Sequence, residues 1–128
     1  MKRKLKILTP QELEIMKIVW QLNTATVRDV YEAFREKRRI AYTTVMTMMK
    51  ILEGKQFLKK WQEGRAYVYK PTSPKKKVIS DMLTEFVNRV FSGSAEALVL
   101  SLFEDTSLSA ADQDKIKKLI AARNRKGS

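Results

Sequence analysis

Apolar and polar positions alternate along this chain with periods that define its elements. Leu13, Met16, Ile18, Val19, Trp20 and Leu22 recur at near-helical spacing. Thr9-Pro10-Gln11-Glu12 precedes them, a capping box with proline at the first helical position, and Asn23 can end the helix. Thr26 with Asp29 three residues on opens a second helix, in which Val27, Val30, Tyr31 and Phe34 share a face. The charge-dense Arg35-Glu36-Lys37-Arg38-Arg39 reads as a solvated turn. A third helix is expected from about Tyr42 to Glu53, with Gly54 as its stop. Its apolar face is Val45, Met48, Met49 and Leu52.

The period then changes. Phe57–Trp61 and Arg65–Lys70 are rich in β-formers, and Gln62-Glu63-Gly64 between them makes a short hairpin loop. Pro71 closes the second strand. Beyond it the helical period returns. Ser73-Pro74 opens a helix carrying Val78, Ile79, Met82, Leu83, Phe86, Val87, Val90 and Phe91, which Gly93 breaks. Ala95 to Phe103 forms another, and Ser109-Ala110-Ala111-Asp112 caps a last one with Ile116, Leu119 and Ile120. The Arg123–Ser128 tail is expected to fray. The order helix–helix–helix–strand–strand is that of a winged helix-turn-helix. The fold class is therefore mainly α (α+β). Residues 1–71 are expected to form this winged-helix domain, and 72–128 a small helical region with a basic tail.

Composition narrows the chemistry. The 128 residues contain no Cys and no His. Zinc and iron–sulfur sites, thiol nucleophiles and Ser-His-Asp triads each need one of these. No metal, no cofactor and no catalysis are expected. A paired-carboxylate enzyme built on Glu104 and Asp105 has no cleft or partner to support it. The lack of Cys suits the cytoplasm. The basic start, Met1 to Leu8, lacks the apolar stretch of a signal peptide, and no run suits membrane insertion.

Charge points to the partner. The net charge is +12, and residues 1–71 carry 16 basic against 7 acidic side chains. Residues 81–114 hold only Arg89 against seven acids. A basic front of this kind seeks a polyanion. A groove-reading helix must offer small polar side chains to bases and cations to phosphates. In the third helix Thr43, Thr47 and Lys50 point away from the apolar face, with Thr44 and Met46 on its flanks able to touch a thymine methyl. These five are the candidate base readers. Arg39, Tyr42, Lys55 and Lys60 are candidate phosphate contacts, and Arg65 at the hairpin tip a phosphate or minor-groove contact. Trp61, Tyr67, Val68 and Tyr69 are expected to pack the hairpin against the helices, since two strands offer no stacking platform. Lys75-Lys76-Lys77 is either a further DNA contact or a solvated helix start.

The C-terminal helices carry more apolar surface than so thin a layer can bury. A two-fold homodimer solves this, with Ile79, Leu83, Phe86, Val90, Leu98, Leu102 and Phe103 at the interface. The alternative to a duplex-binding protein is a small basic RNA- or ribosome-associated protein, which leaves that stripe unexplained.

Several blocks together resemble the BlaI/MecI/CopY family of bacterial penicillinase-repressor-like regulators. They are Leu8–Met16 with Trp20, Thr26–Val30, Ala41-Tyr42-Thr43-Thr44-Val45-Met46-Thr47, Glu63–Tyr69 and Leu98-Val99-Leu100. The resemblance implies a dimeric repressor on double-stranded DNA with TACA and TGTA half-sites in inverted repeat. It places Thr43, Thr44 and Thr47 on the family's base-reading helix and Arg65 on its wing. In the β-lactam branch a membrane metalloprotease sensor system triggers cleavage, at a bond matching Ser101–Leu102. Two departures set limits. The copper-sensing branch needs Cys-x-Cys motifs, which are absent. The penicillinase branch has Asn-Phe at the cleaved bond and Lys at the position of Thr43. The resemblance therefore leaves open the sensor system as a partner, Ser101–Leu102 as a cleavage site and that branch's own operator.

Overall fold

The computed structural model describes residues 8–105 and 108–127. The basic stretch 1–7 and the side chain of Asp105 lie outside the described residues. Three helices come first: α1 (Pro10–Leu22), α2 (Val27–Arg35) and α3 (Tyr42–Gly54). Both expected capping boxes form. The Thr9 hydroxyl accepts from the Glu12 amide at 3.2 Å, and the Glu12 carboxylate accepts from the Thr9 amide at 2.9 Å. Thr26 and Asp29 do the same at 3.1 and 2.9 Å. Each box satisfies two of the amides that a helix start leaves without partners.

The end of α3 differs from the expectation. Gly54 stays inside the helix, and Gln56 takes the left-handed conformation at φ +70°. The Gln56 amide donates to the Glu53 carbonyl and the Phe57 amide to the Leu52 carbonyl, both at 2.9 Å. This is the Schellman arrangement, which closes the last carbonyls of the helix. The chain then enters β1 (Leu58–Glu63), which pairs antiparallel with β2 (Ala66–Pro71) in the register Leu58–Pro71 to Glu63–Ala66. The connection is two residues, Gly64-Arg65, shorter than the expected loop. Gly64 at φ +62° supplies the positive φ that a two-residue hairpin needs. Ala25 and Tyr69 exchange both backbone hydrogen bonds, at 3.0 and 2.8 Å, tying the hairpin to the α1–α2 connection.

The described residues divide into two compact units after Met82. The core of the first unit is Leu8, Ile15, Met16, Ile18, Val19, Ala25, Val30, Phe34, Val45, Met49, Leu52, Leu58 and Tyr69. Each large side chain here contributes about 1.5–3 kcal/mol by burial. Val78 joins this core and Met82 packs on it. The first turns of α4 (Lys75–Val90) thus belong with the winged unit, beyond the boundary at residue 71 read from the sequence. The Trp20 indole N–H donates to the Ser73 carbonyl at 3.0 Å, fixing the exit from β2. The second unit continues from Leu83 through α5 (Ala95–Asp105) and α6 (Ala110–Gly127). Ser94 and Ser109 cap these helices, each accepting an amide at 3.0 Å. The backbone stays helical to Gly127, where the sequence predicts fraying from Arg123.

Candidate nucleic-acid interface

The inward face of α3 is Val45, Met49 and Leu52, all fully buried. Helical geometry then turns Thr43, Met46, Thr47 and Lys50 outward, and all four are exposed, with Thr44 half-buried on the flank. The five candidate readers therefore lie on the outer side or flank of one helix. At its start, Ala41 gives no side-chain cap, and its carbonyl accepts from the Thr44 and Val45 amides at 3.1 and 3.2 Å.

A groove of about 460 Å³ runs between α3, the start of α2 and the hairpin. Met46, Tyr42 and Tyr67 line it, with Arg28, Lys50, Lys60 and Arg65 as cations and no carboxylate. Lys60 is held in place from two sides. Its ammonium lies 3.3 Å from the Glu53 carboxylate and 4.5 Å from the Tyr67 ring centroid. The hydrogen bond to Glu53 raises its pKa, so the charge is kept. Lys50, Arg39 and Arg65 hold no carboxylate among the described residues. Arg39 stands apart from that groove, in the α2–α3 turn beside Lys37 and Arg38.

Two expectations need correction. Lys55 does not stand ready for phosphate, because its ammonium is bound by the buried carboxylate of Glu12, at 2.9 and 3.1 Å. Burial pushes the Glu12 pKa up, but the Thr9 amide and Lys55 outweigh it and the net shift is downward. The hairpin aromatics divide as well. Tyr69 is buried, as expected, whereas Trp61 and Tyr67 are exposed. The Trp61 indole donates to Glu63 on the outer face of the hairpin, at 2.7 Å. The sequence does not place Arg28 at this groove, and it predicts that Tyr67 packs the hairpin. Arg28 and Tyr67 reach it only through tertiary packing, and the one local signal was a cation beside the Thr26 cap.

In the C-terminal region Ile79, Leu83, Phe86, Val90 and Leu102 are exposed, while Leu98 and Phe103 are half-buried. Ser101–Leu102 lies inside α5 in helical backbone. Proteases prefer loop tips, so cutting there requires the helix to open first. Among the described residues no single helix is long and apolar enough to cross a membrane.

The penicillinase repressor family profile matches residues 8–122. The chain belongs to the penicillinase repressor family. Members of this family are transcriptional repressors and not enzymes. The penicillinase repressor of Bacillus licheniformis is 26% identical over 125 residues, covering 97% of this chain and 98% of its own length. The transcriptional regulator BlaI of Mycobacterium tuberculosis is 30% identical over 111 residues, 85% of this chain and 80% of that protein. Among solved structures, monomeric Bacillus licheniformis BlaI in complex with the blaP half-operator matches with a TM-score of 0.50 and 27% identity. That match covers 57% of this chain and 89% of the other. The first unit of this penicillinase repressor family member is thus a winged helix, with α2 and α3 as its helix-turn-helix and the β1–β2 hairpin as its wing.

Proposed function

We propose that this protein is a homodimeric repressor that occupies an inverted-repeat operator of the TACA/TGTA type and excludes polymerase. The observation that carries this reading is the outer face of α3. It is polar, exposed and nearly charge-free, and cations frame it on the hairpin and in the α2–α3 turn. Thr43, Thr44, Met46, Thr47 and Lys50 read base edges in the major groove. Arg39, Tyr42, Lys60 and Arg65 hold the backbone. The winged unit does the reading, and the apolar stripe from Ile79 through Phe103 joins two copies, which doubles the readout and sets the half-site spacing. The similar structure bound to a half-operator supports the DNA side of this reading.

Fluorescence anisotropy tests it. A labelled duplex with the inverted repeat is compared with a scrambled duplex and a structured RNA at several salt concentrations. Two protomers should bind the repeat far more tightly than either competitor. If the dimer neutralises about 6–10 phosphates, log K falls against log salt with a slope of roughly −5 to −9. Equal binding to all three would leave a basic protein without readout, and RNA-preferring binding would favour the RNA-associated alternative.

A further inference from the structure

Arg28, Tyr31, Glu32 and Arg35 stand at i, i+3, i+4 and i+7 of α2 and so share one stripe. Tyr42 from the start of α3 joins them. The Arg28 guanidinium carbon lies 5.6 Å from the centroid of the Tyr42 ring. The rings of Tyr42 and Tyr31 meet edge to face at 5.3 Å, and the Arg35 guanidinium lies 5.4 Å from the Tyr31 centroid. Glu32 sits between the ends, 3.1 Å from Arg28 and 3.4 Å from Arg35. The result is a cation–ring–ring–cation ladder bridged by a single carboxylate.

Its chemistry suits an anion. Stacking occupies the guanidinium faces and leaves the N–H edges as donors. One carboxylate shared between two guanidiniums leaves most of those edges unfilled. Both side chains are more than half exposed, at 67% and 55%. Each end of the ladder also opens onto other cations. Arg28 faces the carboxylate-free groove with Lys50, Lys60 and Arg65. Arg35 lines a hollow with Lys37, Arg38 and Arg39, and with the single carboxylate of Glu36. Both guanidiniums touch the one Glu32 carboxylate, so their bound N–H groups lie closer together than the seven-residue helical rise between their backbones.

We propose that this ladder is a phosphate ledge. Arg28 and Arg35 each take a phosphodiester of the strand beside the bases that α3 reads. Glu32 holds both guanidiniums in place in the free protein and competes with the phosphates for them. The inference rests on the repressor reading, and the test separates the two. The full chain is titrated against the inverted-repeat duplex and a scrambled duplex across a salt series, with thermal melts alongside. Arg28→Gln and Arg35→Gln should each flatten the log–log slope by about 0.9 for each phosphate no longer neutralised, equally on both duplexes. Arg28→Lys and Arg35→Lys should keep the slope. Glu32→Gln should bind both duplexes roughly two- to fivefold more tightly, the size of an exposed ion pair, although its melting temperature falls. Loss of any carboxylate near the duplex tightens binding to some degree, so the slopes of the two Gln variants carry the test and the Glu32→Gln gain adds to it. Unchanged slopes in the Gln variants, or no gain in Glu32→Gln, overturn the ledge while steep wild-type binding leaves the repressor reading intact. Wild-type protein that ignores both duplexes overturns both.

Discussion

The ammonium of Lys55 lies 2.9 Å from the carboxylate of Glu12, which also accepts the Thr9 amide at 2.9 Å. The pair joins the first turn of α1 to the residue that caps α3, so it helps set where the reading helix sits. Its two ends are unequal. The Glu12 side chain is 5% exposed and that of Lys55 35%. Lys55 can turn to water if its partner goes, whereas Glu12 cannot. Lys55→Met should therefore cost about 1–3 kcal/mol at neutral pH, and more than Glu12→Gln, which keeps an acceptor for the Thr9 amide. The pH dependence follows from the lowered Glu12 pKa. A carboxyl lowered in the folded state adds stability above its ordinary value near 4.5, and that stability is lost as pH falls through the folded value. Lys55→Met removes part of the lowering, so its acid-side loss in urea melts should be smaller than that of the wild type. Equal acid limbs would show that the pair does not set this pKa.

The glycines give a second prediction, with opposite signs. A Cβ at Gly54 meets nothing within 4 Å, and its φ is not positive. Gly54→Ala should stabilise by about 0.5–1 kcal/mol, chiefly by restricting the unfolded chain. Gly64 has equal room but sits at φ +62°. Gly64→Ala should destabilise by about 1–2 kcal/mol. Gln56→Gly, at φ +70°, should recover about 1 kcal/mol. Denaturant melts of the three variants decide this, and a loss in Gly54→Ala would contradict a helix that ends beyond Gly54.

Base reading makes a third prediction. Thr47 and Lys50 lie on the exposed side of α3, and a residue that reads bases matters only on the right sequence. Thr47→Ala and Lys50→Ala should weaken binding to the repeat by about 1–3 kcal/mol and to a scrambled duplex much less. Anisotropy with both duplexes at one salt concentration measures the ratio. Equal losses on the two would move these residues from bases to backbone.

Local chemistry is legible in the sequence, and long-range pairing is not. Thr9 with Glu12 and Thr26 with Asp29 announce their helices because a capping box is complete within four residues. The faces of α3 follow from its period alone. Its sequence points to a stop at Gly54 because glycine enters the left-handed region freely. Gln56 takes that conformation instead, since its carbonyl accepts the Thr72 hydroxyl at 2.7 Å while its amide closes the helix. Lys55 reads as a free cation in the sequence because its partner is 43 residues away. The stacking of Arg28 on Tyr42 is hidden for the same reason, since it joins α2 to α3 across a turn.

The apolar stripe of α4 carries the last prediction. Ile79, Leu83, Phe86 and Val90 follow one another at four, three and four residues, so they share a face. All four are exposed, Leu83 at 52%. The Phe86 ring meets Phe91 edge to face at 6.0 Å and is still 39% exposed. In the proposed dimer that face is buried, where a carboxylate has no partner and costs several kcal/mol. Phe86→Asp should therefore halve the mass seen by light scattering while circular dichroism keeps the helical signal. Asn88→Asp, on the opposite side of α4, adds the same charge and should leave the mass unchanged. Separated protomers each hold one half-site, so Phe86→Asp should also lose operator affinity on the order of a hundredfold. Undiminished mass in a folded Phe86→Asp protein would mean that the two copies meet through another surface.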